Sequence, residues 1–344
     1  MPDLKKLETI VQQNCHISDA HFAGHYTLCV FLLKMREYFR WEKRIPLSHS
    51  LPKESLGEWM VQREQAWNAI EEQNYSPLEI DGERFDPFDT ESINRRLTPH
   101  GYVYSGGYGL FHKPCFFLAR LTRVETRHDT TLFIAAEEIA RDIMAPPAML
   151  LGRHIFIRQE SLRRFIWEKI EEWGFKQQEE TPMARALACY PQDDPEHMLD
   201  LMANNELESL ILHESGEAEA HQLLGAEWEM LLDALPRSQA ELIARAVRDN
   251  LADCLSTLPA LIAAQNNAAL HFYFANFSGM RRELFPEAMA AYRQWLETGR
   301  TDMLSATCRQ GAERWLALAR QILDLYRQGA NPLGTAIEQL CLAS

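Results

Sequence analysis

The sequence contains no apolar run near the roughly 20 residues of a membrane-spanning helix, and its first residues, MPDLKKLETIVQQ, lack the apolar core of a signal peptide. We therefore expect no membrane partner and a cytoplasmic location. Glycine and proline are scarce, with 16 of each among 344 residues, which excludes collagen-like and low-complexity chains. The seven cysteines are dispersed and form no C-x-x-C pair, so they favour reduced thiols over a disulfide framework.

Positive charge is also in short supply, because 35 Lys and Arg stand against 49 Asp and Glu, a formal net charge of −14. Proteins that coat nucleic acid need a basic surface to neutralise phosphates, so we expect no nucleic-acid partner. Lysine disappears after Lys176, at the start of the polar, proline-marked stretch KQQEETPMARALACYPQDDPEH. We place a domain junction there, between a mixed helical and β domain at residues 1–180 and an all-helical bundle domain at residues 190–344.

Hydrophobic periodicity predicts a mainly α protein. The first domain is expected to be helical from about Ser18 to Trp41, Pro52 to Glu72 and Ser161 to Trp173. The segment FFLARLTRVETRHDTTLFIAA predicts two short strands joined near His128 and Asp129, followed by a helix to Met144. Any hairpin or small sheet should lie between about residues 100 and 160. From about 195 onward the pattern predicts only helices, including helices over 206–235 and 238–263.

The helix predicted over 206–235 carries charged residues on its apolar side. With successive side chains about 100° apart, the arc that holds most of its leucines also holds Glu206, His213, Glu214, Glu217 and His221. An unpaired carboxylate in a low-dielectric interior costs several kcal/mol, so it must be protonated, be paired or bind a metal. Three interpretations stay open: a metal or catalytic site, an ion network with arginines such as Arg245, Arg281 or Arg282, or a wrong helix phase. Asp249 and Asp253 of the next helix are expected on its solvent face.

Two resemblances involve this one helix. The pattern His213-Glu214-x-x-Glu217 resembles the zincin H-E-x-x-H helix, although Glu217 stands where that family has its second histidine. The resemblance implies His213 and Glu217 as metal ligands, His221 as a possible third ligand, and Glu214 as the catalytic base. The spacing from Glu206 to His213 is similar to the first metal-binding helix of haem-oxygenase-like di-iron oxidases. That family needs a later helix with two further histidines, and no histidine follows His271.

The stretch CHISDAHFAGHYTLCVFLLKMREYFRWE contains a second pair of histidines, His21 and His25. Residues four apart share a helix face, and Leu28 and Leu32 fall on the same face, so we expect both imidazoles to point inward. Such a pair suits Zn, Fe, Ni or Cu; the alternative is two packed histidines, each bonded to a backbone carbonyl. The stretch resembles the N-terminal signature of a bacterial protein family of unknown function, which implies no activity.

These patterns favour a metal-binding helical protein with a mixed imidazole and carboxylate site. The ligand types suit divalent iron, manganese or zinc, and the metal would serve a non-haem oxidoreductase or a hydrolase that acts on a small-molecule substrate. The competing hypothesis is a non-enzymatic interaction or assembly protein, whose inward charges form a Glu–Arg–His network and whose acidic bundle binds a basic protein partner. The sequence leaves open whether the chain is an enzyme.

Overall fold

The computed structural model describes residues 3–109, 112–127, 130–176, 180–235 and 238–342. It confirms a mainly α fold with a β-sheet in the middle of the chain. The chain forms two compact units, one from Met1–Lys169 with Asp194–Ala203 and the other from Ile170–Asp193 with Asn204–Ser344. None of the described helices is long and apolar enough to span a membrane.

Helices open the first unit: α1 Leu4–Phe22, α2 Leu28–Glu42, α3 Lys53–Asn68 and α4 Thr90–Leu97. The continuous helix predicted from Ser18 to Trp41 is wrong at its centre. A short 3₁₀ turn, Ala23–His25, follows α1, and Thr27 then takes an extended backbone conformation. The Thr27 side chain accepts a hydrogen bond from the backbone N–H of Val30 and so begins a new helix.

Two sheets follow α3 along the chain. The hairpin of β1 Leu78–Ile80 and β2 Glu83–Phe85 forms the smaller one. The larger has the order β3-β4-β5-β7-β6, and of its pairs only β5 with β7 is parallel. Its strands are β3 Tyr102–Tyr108, β4 Pro114–Arg127, β5 Thr130–Arg141, β6 Ala148–Leu151 and β7 His154–Arg158.

Two predictions about this region are wrong. The first small hairpin lies before residue 100, and residues 137–141 continue strand β5 instead of starting a helix. Glu138 and Ala140 are both fully buried, which is the two-residue spacing of a strand with one face on the core. The predicted turn at His128 and Asp129 lies outside the described residues.

The first unit packs its helices on this sheet. Helix α1 lies against β4 and β5, where its side chains Leu7, Val11 and Cys15 contact a cluster that includes Phe116 and Leu118. Helices α2 and α3 meet in a largely aromatic cluster formed by Tyr38, Phe39, Trp59 and Trp67, to which α1 contributes Ala20. The guanidinium of Arg141, at the end of β5, lies 5.8 Å from the Tyr38 ring centroid. The end of β5 is therefore held beside the last turns of α2.

The remaining helices are α5 Gln159–Lys176, α6 Pro182–Leu187, α7 Pro195–Leu224, α8 Glu227–Asp233, α9 Gln239–Ala252, α10 Leu258–Ala263, α11 Asn267–Asn276, α12 Gly279–Leu284, α13 Pro286–Thr298, α14 Asp302–Arg327 and α15 Leu333–Leu342. No strand occurs in the described residues from 195 onward, as predicted. The helix predicted over 206–235 is interrupted at Gly225, which has a φ of +76°. The helix predicted over 238–263 is interrupted by a π-helical turn, Asp253–Thr257.

Helix α9 is central to the second unit and packs against α12, α14 and α15. A close approach also joins its end to α7: a Cβ on Gly216 would lie only 2.5 Å from the carbonyl oxygen of Ala252. Because glycine has no Cβ, the two backbones can come this near. The contact brings the π-helical turn beside the charged residues of α7.

Candidate functional site

A cavity of about 320 Å³ in the first unit combines buried charge with an apolar wall. It lies where the end of α2, the loop after α2, the end of β5 and the first turns of α5 and α7 meet. It is lined by five arginines (Arg40, Arg44, Arg141, Arg163 and Arg164), three glutamates (Glu37, Glu160 and Glu196) and four apolar residues (Trp41, Ile45, Pro46 and Leu47). Arginines therefore outnumber glutamates among the lining residues, in a chain whose net charge is −14.

Two of the lining arginines are held in place by backbone carbonyls. Nη1 of Arg40 donates to the carbonyl oxygens of Pro46 and His49, at 2.6 and 2.7 Å. Nη2 of Arg164 donates to the carbonyl oxygens of Met144 and Ala145, at 3.1 and 2.6 Å. Each also meets a carboxylate: Nε of Arg40 lies 3.4 Å from Glu37, and Arg164 pairs with Glu168. The carbonyl contacts therefore fix the orientation of the two guanidinium groups.

Arg141 is a buried lining arginine with two nitrogens unbonded in the described part of the chain. Its side chain is 1% exposed and lies 3.6 Å from the Glu138 carboxylate, while its Nε and Nη2 make no hydrogen bond within the described residues. Burial and the neighbouring charge of Arg164 lower the pKa of Arg141. The Arg141 guanidinium also lies 5.0 Å from the ring centroid of Trp41, on the apolar wall.

The carboxylate near Arg141, that of Glu138, is already hydrogen-bonded to another arginine. Glu138 accepts from Arg158 at 3.0 and 2.8 Å and from the Ser161 hydroxyl at 2.5 Å. Although burial acts in the opposite direction, Arg158 and Arg141 lower the pKa of Glu138. Two buried arginines thus share one carboxylate, which leaves an excess positive charge at Arg141.

Two of the three lining glutamates are bound to protein groups, while Oε2 of Glu37 is buried without a hydrogen bond to any described residue, 3.4 Å from Arg40. Glu196 accepts from Arg163 at 2.5 Å and from the backbone N–H of Ser48 at 2.7 Å. Glu160 accepts from the backbone N–H of Glu138 at 2.7 Å. Burial and the charge of Glu138 raise the pKa of Glu160, which weakens its ability to neutralise the arginines. The cavity is therefore suited to an anion.

This cavity cannot be predicted from the sequence. Its residues come from segments as far apart as Glu37 and Glu196, and they meet only because of the order of the sheet strands and the position of α5 and α7. The available signal was local: Arg40 and Arg44 flank Trp41, and Arg163 and Arg164 are adjacent. Such pairs are common on protein surfaces, so the sequence alone did not distinguish them.

The charged residues predicted on α7 form an ion network in the second unit. His213 Nδ1 lies 2.9 Å from Oδ1 of Asp253, and its Nε2 lies 3.3 Å from Glu217. Glu217 also pairs with Arg248 at 3.2 Å. Asp253 accepts from the Tyr273 hydroxyl at 2.8 Å and from Arg281. Two arginines thus supply the positive charge that a metal would bring.

The electrostatics of the network agree with this pairing. Burial opposes the charged forms, yet Arg281 and His213 lower the pKa of Asp253 to about 2, and His213 and Arg248 lower the pKa of Glu217 to about 2. Asp253 and Glu217 in turn raise the pKa of His213 well above its ordinary value, against the effect of burial. The prediction that Asp253 faces solvent is wrong, because α7 covers that side of α9 with its own charged residues.

The other predicted residues of α7 do not join His213 in a ligand set. Glu206 is buried, accepts from Nδ2 of Asn205 at 3.2 Å, and has a pKa raised to about 7 by burial. Glu214 is buried as well, and burial together with the charge of Glu217 raises its pKa to about 7. The predicted inward position of His221 is wrong: its side chain is 46% exposed, 3.7 Å from Glu229.

His21 and His25 do not share a helix face. The first lies in the last turn of α1 and the second in the 3₁₀ turn, and both are exposed. Their predicted inward orientation is therefore wrong, because the helix ends between them. His21 contacts the ring of Tyr75 and His25 that of Phe22. Among the described residues there is no group of three or more His, Cys, Asp or Glu side chains that could hold a metal ion, and metal binding stays a prediction.

Two family models match the chain. Residues 6–158 match the N-terminal domain, and residues 163–344 the C-terminal domain, of DUF6866, a family of unknown function. The comparisons with curated proteins and with solved structures gave no match.

Proposed function

We propose that this chain, which belongs to the DUF6866 family of unknown function, binds a small oxyanionic ligand in the arginine-lined cavity. The main observation in support is the buried Arg141 side chain, whose Nε and Nη2 make no hydrogen bond within the described residues. A buried guanidinium with two unbonded nitrogens leaves two donors unsatisfied, and Arg141 shares the carboxylate of Glu138 with Arg158, which costs several kcal/mol unless a further partner is supplied. A carboxylate or a phosphate matches the donor geometry of arginine.

The shape and lining of the cavity narrow the class of ligand. A volume of about 320 Å³ lies at the lower end of the range for small-molecule sites. Trp41, Ile45, Pro46 and Leu47 add apolar surface to the charged lining. The ligand that fits this lining has one oxyanion and a compact apolar portion. All seven cysteines are free thiols, which supports our proposal that the protein works in the cytoplasm.

Matched probe ligands test the requirement for negative charge. Benzoate and phenyl phosphate each join an oxyanion to a phenyl ring, whereas benzamide has nearly the shape of benzoate without its charge. We expect calorimetric titration to show binding of one or both anions and at least ~10-fold weaker binding of benzamide, a difference of about 1.4 kcal/mol. Equal affinity for benzoate and benzamide would contradict the proposal.

A matched pair of variants then locates the site. Arg44 and Arg120 both pair with Glu137 at 3.0 Å and have similar exposure, but only Arg44 lines the cavity. We expect Arg44→Ser to weaken benzoate binding by roughly 3-fold, which corresponds to the effect of an exposed charge, and Arg120→Ser to leave it unchanged. Arg141→Lys keeps the charge but removes the bidentate donor geometry, so it should cost ~10-fold or more. Identical affinities for the Arg44 and Arg120 variants would exclude this cavity as the binding site.

The competing metal hypothesis from the sequence has a direct test of its own. Elemental analysis of protein purified without chelators or nickel resin measures bound Fe, Mn and Zn. Arginines already pair with Glu217 and Asp253, so these carboxylates do not need a metal to balance their charge. We therefore favour the anion-binding function.

A further inference from the structure

A groove in the first unit lies away from the arginine-lined cavity and shares none of its lining residues. It is formed by the end of α1, the start of α2 and the end of α3, and encloses about 420 Å³. Ala20, Tyr26, Phe31 and Trp67 give it an apolar floor, and Glu64 and Glu71 line it as well. Trp67 is buried and belongs to the aromatic cluster of the unit, so the floor is rigidly supported.

The first two turns of α2, which border this groove, expose an unusual amount of apolar surface. Leu28 is 70% exposed and Leu33 54%, and Val30 and Leu32 are also exposed. The segment LCVFLL is apolar on every side, and a helix with that composition is ordinarily buried all round. Exposed apolar patches beside a groove mark interaction sites in soluble proteins.

Charge at the groove selects the kind of partner. Glu64 and Glu71 are both exposed, and neither pairs with a cation among the residues that the structure describes. The nearest arginine in α3, Arg63, is bound to Glu42. An apolar floor with unneutralised carboxylates complements a partner that joins apolar residues to lysines or arginines. A second copy of this chain is a poor occupant, because it would bring equal acidic charge to the same groove.

We propose that this groove binds an amphipathic helix of a protein partner, with the apolar face of that helix on Trp67, Phe31 and Leu28 and its cations opposite Glu64 and Glu71. Helices that place side chains at i, i+3, i+4 and i+7 into an apolar groove are a recurring mode of recognition. The proposal is independent of anion binding, since the two sites share no lining residue.

Two designed peptides serve as probes. Both have 18 residues with leucine at i, i+3, i+4 and i+7 positions; one carries lysine at the polar positions and the other glutamate. We expect fluorescence anisotropy of the labelled lysine peptide to show saturable binding to the full chain, and the glutamate peptide to bind at least ~10-fold more weakly. Failure of the lysine peptide to bind, or equal binding of both peptides, would overturn the proposal.

Charge-reversal variants place the interaction in the groove. Glu64→Lys with Glu71→Lys should reduce affinity for the lysine peptide by about 10-fold or more. Glu8→Lys with Glu58→Lys changes the net charge equally at exposed positions outside the groove, and should reduce affinity by less than ~2-fold. Equal losses in the two double variants would show nonspecific attraction to an acidic protein and overturn the site.

The exposed leucines have a matched control in the second unit. Leu28→Ser should weaken peptide binding, whereas Leu242→Ser, at a residue of similar exposure on α9, should not. Unchanged circular dichroism and melting temperature would show that both variants fold. Light scattering of the wild type at increasing concentration tests the other occupant: dimerisation that Leu28→Ser abolishes would assign the groove to a second copy and overturn the proposed partner.

Discussion

His213 Nδ1 lies 2.9 Å from Oδ1 of Asp253, and the two residues come from different helical segments, 40 positions apart in sequence. Asp253 is 1% exposed on its side chain and begins a π-helical turn. The contact joins α7 to the end of α9 and places an imidazole beside a fully buried carboxylate. The pair connects the charged residues inside the second unit, because His213 also contacts Glu217 and Asp253 also pairs with Arg281.

Removing the carboxylate of Glu217 tests whether the network stabilises the fold or holds a metal. In Glu217→Gln, Arg248 and His213 lose a charged partner, so we expect the free energy of unfolding to fall by about 3 kcal/mol. Glu219→Gln, at an exposed position of the same helix, should change it by less than about 0.5 kcal/mol. Denaturant titration measures both. A metal in the wild type that is lost in Glu217→Gln, with unchanged stability, would instead support the metal hypothesis.

The raised pKa of His213 predicts a pH dependence with a definite sign. The protonated imidazole is stabilised in the folded state, so its contribution is fully present below pH about 6.5 and is lost as pH rises through the higher folded pKa. The stability difference between wild type and His213→Gln should therefore decrease above pH 6.5, by up to about 1.4 kcal/mol per pH unit. Urea unfolding at several pH values between 5.5 and 9 measures this difference. A constant difference across that range would contradict the pairing.

The close approach of α7 to α9 predicts that alanine is not tolerated at Gly216. A Cβ there would lie 2.5 Å from the Ala252 oxygen and 3.0 Å from Cβ of Ser256, so the helices must separate. We expect Gly216→Ala to destabilise by about 1–3 kcal/mol, despite the better helix propensity of alanine. In Gly174→Ala, on α5, the new Cβ meets nothing within 4 Å, and the variant should gain up to about 1 kcal/mol. Thermal unfolding of the two variants should thus shift in opposite directions.

Adjacent glutamates on β5 provide a comparison of buried and exposed ion pairs. Glu138 is fully buried and bound to Arg158 by two hydrogen bonds, so Glu138→Gln should cost about 3–5 kcal/mol. Glu137 pairs with Arg44 and Arg120 at the surface, and Glu137→Gln should cost less than about 1 kcal/mol. Similar losses in the two variants, measured by denaturant titration, would contradict our account of the buried arginines.

Periodicity in the sequence was sufficient for the mainly α fold, for strands β4 and β5 and for the helical segment from residue 195 onward, but it did not predict β3, β6 or β7. It also predicted correctly that Glu206 and Glu214 are buried. It was wrong for Asp253, because the polar side of α9 faces the charged residues of α7 instead of water. A pattern within one helix cannot distinguish water from a second polar surface that covers it.

Tertiary contacts explain the remaining differences. Strand β5, which pairs with β7 in parallel and is covered by α1, ends beside α2. The arginine-lined cavity depends on that arrangement, so no single segment carries its signature. The predicted inward orientation of the N-terminal histidines was wrong for a local reason. Thr27 caps a new helix, although the apolar pattern around it is typical of a continuous helix.

The π-helical turn makes this part of the chain sensitive to length. A π-helical turn holds one residue more than the α-helical turn it replaces, so Asp253–Thr257 accommodates an extra residue without rotating the helix that follows. Deleting one of its residues would let the chain continue as an ordinary α-helix, with Leu258 and Leu261 still on their buried side. Inserting a residue would instead rotate Leu258 and Leu261 by about 100° away from their neighbours, while Ile243 and Val247 kept theirs. An insertion at this turn should therefore be far more harmful than a deletion.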